Sequence, residues 1–171
     1  MRSVARIGIT LLIFCIAACG SSEKKPDLPL VAPDNEQVTM PERPRAENWI
    51  EFFTGAQESS RFYVDTTSVS VMPWGEVRYT LRIVPVAVSE SVRFEGLMCK
   101  TREWRLLAFL RSDGSWSLAR DPKWLAIHAT SANNQHHALQ REYLCEFDAP
   151  RKVEAIVRAL KNPVDKHSTG R

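Results

Sequence analysis

A short hydrophobic run that ends at Cys19 decides which part of this 171-residue chain can belong to a fold. The run covers residues 7–18, follows Arg2 and Arg6, and is 12 residues long. A membrane-spanning helix needs about 20 apolar residues, so the run matches the hydrophobic region of a secretory signal peptide. The sequence Ile-Ala-Ala-Cys at its end is typical of a bacterial lipobox, in which the cysteine is acylated. We therefore expect residues 1–18 to be removed and Cys19 to attach the protein to membrane lipid.

The alternative is an ordinary signal peptide in which Cys19 takes no part. Gly20 follows the cysteine, and an Asp that would indicate retention in the inner membrane is not found there. A single acyl chain binds a membrane only marginally, whereas several hold a protein stably. We expect a lipoprotein of the outer membrane that faces the periplasm.

Charge excludes one class of partner. Without Arg2 and Arg6 the Lys and Arg count falls from 23 to 21 against 20 acidic residues, so the net charge falls from +3 to +1. Proteins that bind nucleic acid show a clear basic excess. We therefore expect no nucleic-acid partner.

Cysteine usage agrees with export. Cys15 lies in the signal region and Cys19 is the acylation site, which leaves Cys99 and Cys145. Two thiols in an oxidising compartment are most simply read as one structural disulfide, here joining a strand to a helix. Two free buried thiols are the alternative. A catalytic pair would need a Cys-x-x-Cys spacing or an activating charge, and the sequence offers neither.

The chain divides into four parts. Residues 1–18 are the signal peptide, and residues 19–45 read as an acylated, proline-rich tether that cannot bury enough apolar surface to fold. Residues 46–162 form one domain, and residues 163–171 are a polar tail. We expect an α+β fold, a twisted antiparallel sheet with one or two C-terminal helices packed on one face.

Alternation within the domain predicts strands. Val77, Tyr79, Leu81 and Ile83 alternate with polar residues, which indicates one buried and one solvated face. Turn residues at 72–76 and 112–115 predict hairpins. One helix is expected from residue 133 or 134 to 144. A second is expected with Asp148 as its cap, Pro150 in its first turn and a buried stripe that ends at Leu160.

Candidate site residues are few. His128, His136 and His137 could hold a metal, but adjacent histidines diverge by about 100° on a helix, so we expect no metal and no cofactor. We expect Trp104 to belong to the core. Trp74 at a hairpin tip and Trp124 in a loop are the candidate binding residues. The sheet arginines, Arg78 and Arg105 among them, are expected to pair with glutamates; an anion-binding patch is the alternative.

The order of several segments resembles a known family. Phe62–Val71, Gly75–Ile83 and Phe94–Trp104, followed by Asp113–Trp116 and Tyr143–Cys145, are similar to the cryptic neisserial protein one-like family of bacterial envelope proteins. That resemblance implies an exported protein, often a lipoprotein, of unknown function. It also supports the pairing of Cys99 with Cys145 and supplies no catalytic residues.

Two functions are compatible with these residues. The leading one is a non-catalytic module, anchored through Cys19, that binds an envelope protein, peptidoglycan or another envelope component. The rival is a periplasmic hydrolase or metal-dependent enzyme that uses His128, His136 or His137 with a carboxylate such as Glu142. No nucleophile elbow, phosphate-binding glycine loop or paired carboxylates support the rival.

Overall fold

The fold is built on one antiparallel sheet. A computed structural model describes residues 36–54, 60–128 and 134–162. The strands are β1 Trp49–Phe52, β2 Ser60–Val71, β3 Glu76–Pro85, β4 Ser91–Met98, β5 Glu103–Leu110, β6 Trp116–Leu118 and β7 Leu125–Ala126. They pair in chain order from β1 to β6, and β7 pairs with the start of β5. The hairpins expected at residues 72–76 and 112–115 join β2 to β3 and β5 to β6.

Helical segments follow the sheet. A short helix, α1, covers Asn134–Ala138 and continues as π-helical turns over Leu139–Leu144. A small hairpin of β8 Cys145–Glu146 and β9 Ala149–Pro150 leads to α2, Val153–Lys161. The α+β prediction is confirmed. The expected start of the last helix is wrong: Asp148 and Pro150 belong to the β8–β9 hairpin, so α2 begins only after Lys152.

The larger core lies between the sheet and these helical segments. Tyr79 and Leu81 of β3 and Leu97 of β4 are fully buried there. Ile156 and Leu160, one helical turn apart on α2, complete it from the helix side. The predicted stripe of α2 is therefore its buried face.

A second, smaller core lies on the opposite face of the sheet. Phe94 of β4 and Leu107 and Ala108 of β5 contact Val38 and Met40. The indole Nε1 of Trp116 donates a hydrogen bond of 2.9 Å to the carbonyl oxygen of Pro41. Residues 36–45, expected to belong to the tether, thus pack on the sheet. The packed part of the domain begins before the expected boundary at residue 46.

The disulfide joins the two layers. Cys99, directly after β4, bonds Cys145, directly after the π-helical turns, with an Sγ–Sγ distance of 1.99 Å and a Cα–Cα distance of 5.7 Å. The predicted pair is confirmed. Over the described ranges, no helix has the length and apolar character needed to cross a bilayer. The signal peptide, Cys19 and the tail at 163–171 lie outside the described residues.

Candidate functional site

The middle of the sheet carries charged side chains on both of its faces. Along β3, Glu76, Arg78 and Thr80 point away from the helices and are all buried. The sequence predicts a solvated face here, and over these three residues that prediction is wrong. Residues 36–45 cover it, and solvent reaches only the end of the strand, where Arg82 pairs with Glu90 at 2.5 Å.

Four of these side chains form a charge cluster, defined here as Glu36, Glu76, Arg78 and Arg105. Arg105 donates to Glu76 through Nε at 2.8 Å and Nη2 at 2.6 Å, and Arg78 donates to Glu76 at 2.9 Å. Glu36 accepts from Arg78 and, at 3.0 Å, from Arg105. Two carboxylates balance two guanidinium groups. Removal of one member would leave an uncompensated buried charge, which is strongly destabilising.

The cluster controls the ionisation of its central carboxylate. Burial alone raises the pKa of Glu76, because it disfavours the charged form. Hydrogen bonds and positive charge from Arg105 and Arg78 outweigh burial, so the pKa of Glu76 lies below its ordinary value of 4.5. Glu76 is therefore ionised at neutral pH and holds both arginines.

The two candidate binding tryptophans flank this cluster. The indole Nε1 of Trp74 donates to Glu76 at 2.9 Å, and the guanidinium of Arg78 lies 5.5 Å from its ring centroid. The guanidinium of Arg105 lies 4.6 Å from the ring of Trp124, within the range of a cation–π contact. Both indoles are half-buried. A binding role for Trp74 and Trp124 stays a prediction, and the rings already have internal partners.

The helix-facing side of the sheet carries a separate buried polar network. His136 Nε2 lies 2.9 Å from Glu95 Oε2, and the hydroxyl of Tyr79 donates to the same oxygen at 3.2 Å. The His136 ring stacks on Trp104 with centroids 3.8 Å apart. Glu95, His136 and Tyr79 have no exposed surface. Burial together with the Glu95 charge raises the pKa of Tyr79 well above 10.0, so the phenol stays protonated.

Gly96 allows the two networks to lie back to back. A Cβ at this position would lie 1.9 Å from Glu76 Oε1, which no real structure tolerates. The segment Phe94-Glu95-Gly96 thus supplies a core ring, a partner for His136 and the space for Glu76.

A surface pocket lies beside the disulfide and the β4–β5 turn. It has a volume of about 550 Å³, and Cys145 and Ile127 form part of its wall. Its remaining lining residues are Arg102, His128, His137, Gln140, Arg141 and Phe147. The described residues that line it include no Asp or Glu. We name this the cationic pocket.

The three histidines therefore do not act together. His128 and His137 share the cationic pocket, whereas His136 points into the core. Within the described ranges, no group of three or more His, Cys, Asp or Glu side chains is arranged to hold a metal ion. Arg102 is one of the sheet arginines for which an anion-binding patch is the alternative, whereas Gln140 gives no signal in the sequence, because the two meet only when the β4–β5 turn and the π-helical turns are brought together.

Comparison with known proteins gives one result. The model of the CNP1-like family matches residues 33–161. No curated protein and no solved structure matches the chain. The match begins close to the first residues that pack on the sheet and ends with α2. The chain belongs to the CNP1-like family.

Proposed function

We propose that this protein is a lipid-anchored binding module of the bacterial envelope, held at the outer membrane by acylated Cys19 and facing the periplasm. The observation that carries the anchor is the Ile-Ala-Ala-Cys sequence after a hydrophobic run of signal-peptide length. The Cys99–Cys145 disulfide supports export, because such bonds persist in oxidising compartments.

A binding role agrees better with the polar groups than a catalytic one. Glu95, His136 and Tyr79 have the chemistry of an acid–base site, but all three are fully buried and bonded to one another. A general base must come within hydrogen-bond reach of a substrate proton. The cationic pocket, in contrast, is open to ligands and presents positive and polar groups.

The hydrolase hypothesis retains one supporting observation, the presence of His128 and His137 in the same pocket. His136 cannot join them. An enzyme that used this pair would lose turnover in His128→Ala and His137→Ala variants while its thermal stability stayed unchanged. A panel of chromogenic ester and phosphate substrates that shows no turnover above buffer would exclude that reading.

Metabolic labelling with radioactive palmitate tests the anchor. We expect label on the wild-type protein and on Cys15→Ala, which changes the other cysteine of the signal region. Cys19→Ala should carry no label and should leave the membrane fraction or accumulate unprocessed. Equal labelling of Cys19→Ala and wild type would overturn the proposed anchor.

A further inference from the structure

Two pairs of arginines in this fold differ in how their charge is balanced. Arg78 and Arg105 are buried, and each donates hydrogen bonds to Glu76 and Glu36. Arg102 and Arg141, in the wall of the cationic pocket, form longer ion pairs with carboxylates. Arg102 Nη2 lies 3.8 Å from Asp148, and Arg141 Nε lies 3.7 Å from Glu142.

Those distances exceed hydrogen-bond length, so the guanidinium N–H groups of the pocket are not used by these acids. Both Arg102 and Asp148 are about two-thirds exposed, and pairs of this kind contribute little in water. The pocket therefore offers guanidinium N–H donors that these two carboxylates do not occupy, and each arginine keeps one acid within ion-pair distance.

Gln140 adds a neutral amide to the wall of the same pocket. Its residue surface is only 7 % exposed, yet it lines the pocket and its side-chain amide bonds no other described residue. Its amide atoms are not among the buried side-chain atoms that lack a partner, so they contact the solvent of the pocket and can donate to a ligand. The amide faces the same cavity as the guanidinium groups of Arg102 and Arg141.

The backbone holds the pocket in place. Arg102 has a φ of 57°, its N–H donates to the carbonyl of Met98, and its own carbonyl accepts from Ile127. Phe147 has a φ of 56° and is 91 % exposed, although its ring is large and apolar. Non-glycine residues in this region are uncommon and cluster at functional sites.

We propose that the cationic pocket binds an oxyanion, the carboxylate or phosphate group of a small ligand, with an apolar part of that ligand against Phe147. Arg102 and Arg141 supply charge-assisted donors, which suit planar carboxylates and phosphates. Gln140 supplies a neutral donor, and His128 and His137 complete the polar wall. A volume of about 550 Å³ suits a small organic ligand. The inference deepens the binding function proposed above and does not depend on the anchor.

Titration of the full chain in an uncharged detergent tests this inference. The probes are N-acetyl-phenylalanine, its uncharged amide, and phenyl phosphate, followed through amide NMR shifts that include the side-chain amide of Gln140. We expect saturable binding of the carboxylate, the phosphate or both, and none of the amide. Binding of phenyl phosphate alone identifies a phosphate site, and binding of N-acetyl-phenylalanine alone identifies a carboxylate site.

Variants locate the binding. Loss of one charge-assisted hydrogen bond should raise the Kd about tenfold in Arg102→Gln and in Arg141→Gln. Arg120→Gln removes one exposed positive charge outside the pocket and should leave the Kd within about twofold, since remote exposed charges are screened. Gln140→Leu should weaken binding without loss of positive charge. Thermal unfolding of each variant checks that the fold is intact.

Three results would overturn the inference: no saturable binding of either anion, equal binding of the amide and the acid, or an effect of Arg120→Gln as large as that of Arg102→Gln. These outcomes are separable from the anchor. Anion binding with unmodified Cys19 contradicts only the anchor, and acylated Cys19 without anion binding contradicts only the pocket.

Discussion

Gly96 lies directly against the carboxylate of Glu76, and a Cβ on the glycine would lie 1.9 Å from Oε1. This close approach lets β4 pass over the charge cluster while Arg105 and Arg78 keep their bonds to Glu76. One methyl group at residue 96 would force the carboxylate away from both arginines. The absence of a side chain at Gly96 thus leaves the space in which the Glu76 carboxylate binds both arginines.

Gly96→Ala should destabilise the protein by about 1–3 kcal/mol, the usual range for an overpacked interior. The free energy of unfolding from urea titration measures the effect. Thr101→Ala, at an exposed turn position, is the control and should change stability by less than about 0.5 kcal/mol. Equal stability of Gly96→Ala and wild type would mean that Glu76 is not held as described.

Glu36→Gln should release residues 36–45 from the sheet, because Arg78 and Arg105 each lose an ionic partner. We expect faster cleavage by trypsin after Arg45 and a loss of about 1–3 kcal/mol, the cost of an unsatisfied buried polar group. Glu42→Gln removes the same charge from an exposed position of the same segment. Similar cleavage of the two variants would contradict the role given to Glu36.

Acid should destabilise the fold in a defined window. The pKa of Glu76 in the folded protein lies below 4.5. Its contribution to the free energy of unfolding is therefore present above pH 4.5 and is lost as the pH falls through this lowered pKa. The free energy of unfolding should therefore decline below about pH 4.5. Arg61 also lowers the pKa of Glu51, but this pair is exposed, so dissolved salt screens the interaction between the two charges. A decline that vanishes in 0.5 M salt would contradict a buried origin.

High pH should also destabilise the folded protein. The pKa of Tyr79 is raised above 10.0, so its contribution is present below pH 10 and is lost as the pH rises further. Tyr79→Phe should weaken this decline, whereas Tyr63→Phe, at a half-buried position on β2, should not. Identical alkaline profiles for Tyr79→Phe and wild type would mean that Tyr79 is not the source of this decline.

Conservative substitutions separate the structural contacts of Trp74 and Trp124 from a binding role. Trp74→Phe removes the Nε1 donor to Glu76 but keeps a ring near Arg78, and should cost about 1 kcal/mol. Trp124→Phe keeps an aromatic ring facing Arg105, so it should lower the free energy of unfolding by less than Trp74→Phe does. If these rings bind an envelope partner, crosslinking to that partner falls in Trp124→Ala while the fold persists. Unfolding of Trp124→Ala would assign the ring a structural role instead.

The parts that sequence reasoning predicted depend on local patterns. Alternation located β3, turn residues located the hairpins, and the two remaining cysteines identified the disulfide, because each signal needs only neighbouring residues or a count. The buried state of Arg78 could not be predicted in this way. Its partners are Glu36 and Glu76, and Glu36 lies in a proline-rich segment whose composition is typical of a linker. The cationic pocket depends likewise on residues that are distant in sequence.

Some missed features did leave a signal. A glycine inside a strand, such as Gly96, often marks a close approach of another group, and it was available before the structure. The alternating charged residues Glu76, Arg78 and Arg82 are equally compatible with a solvated sheet face and with a buried face on which the charges pair. Only the segment that packs above them distinguishes the two.

The most direct measurement of the central claim is the intact mass of the protein extracted from membranes under non-reducing conditions. We predict a chain that begins at Cys19, carries several acyl groups, and lacks the two hydrogens removed by the Cys99–Cys145 bond. A chain that starts elsewhere, or that begins at Cys19 with an unmodified thiol, would contradict the proposed envelope anchor.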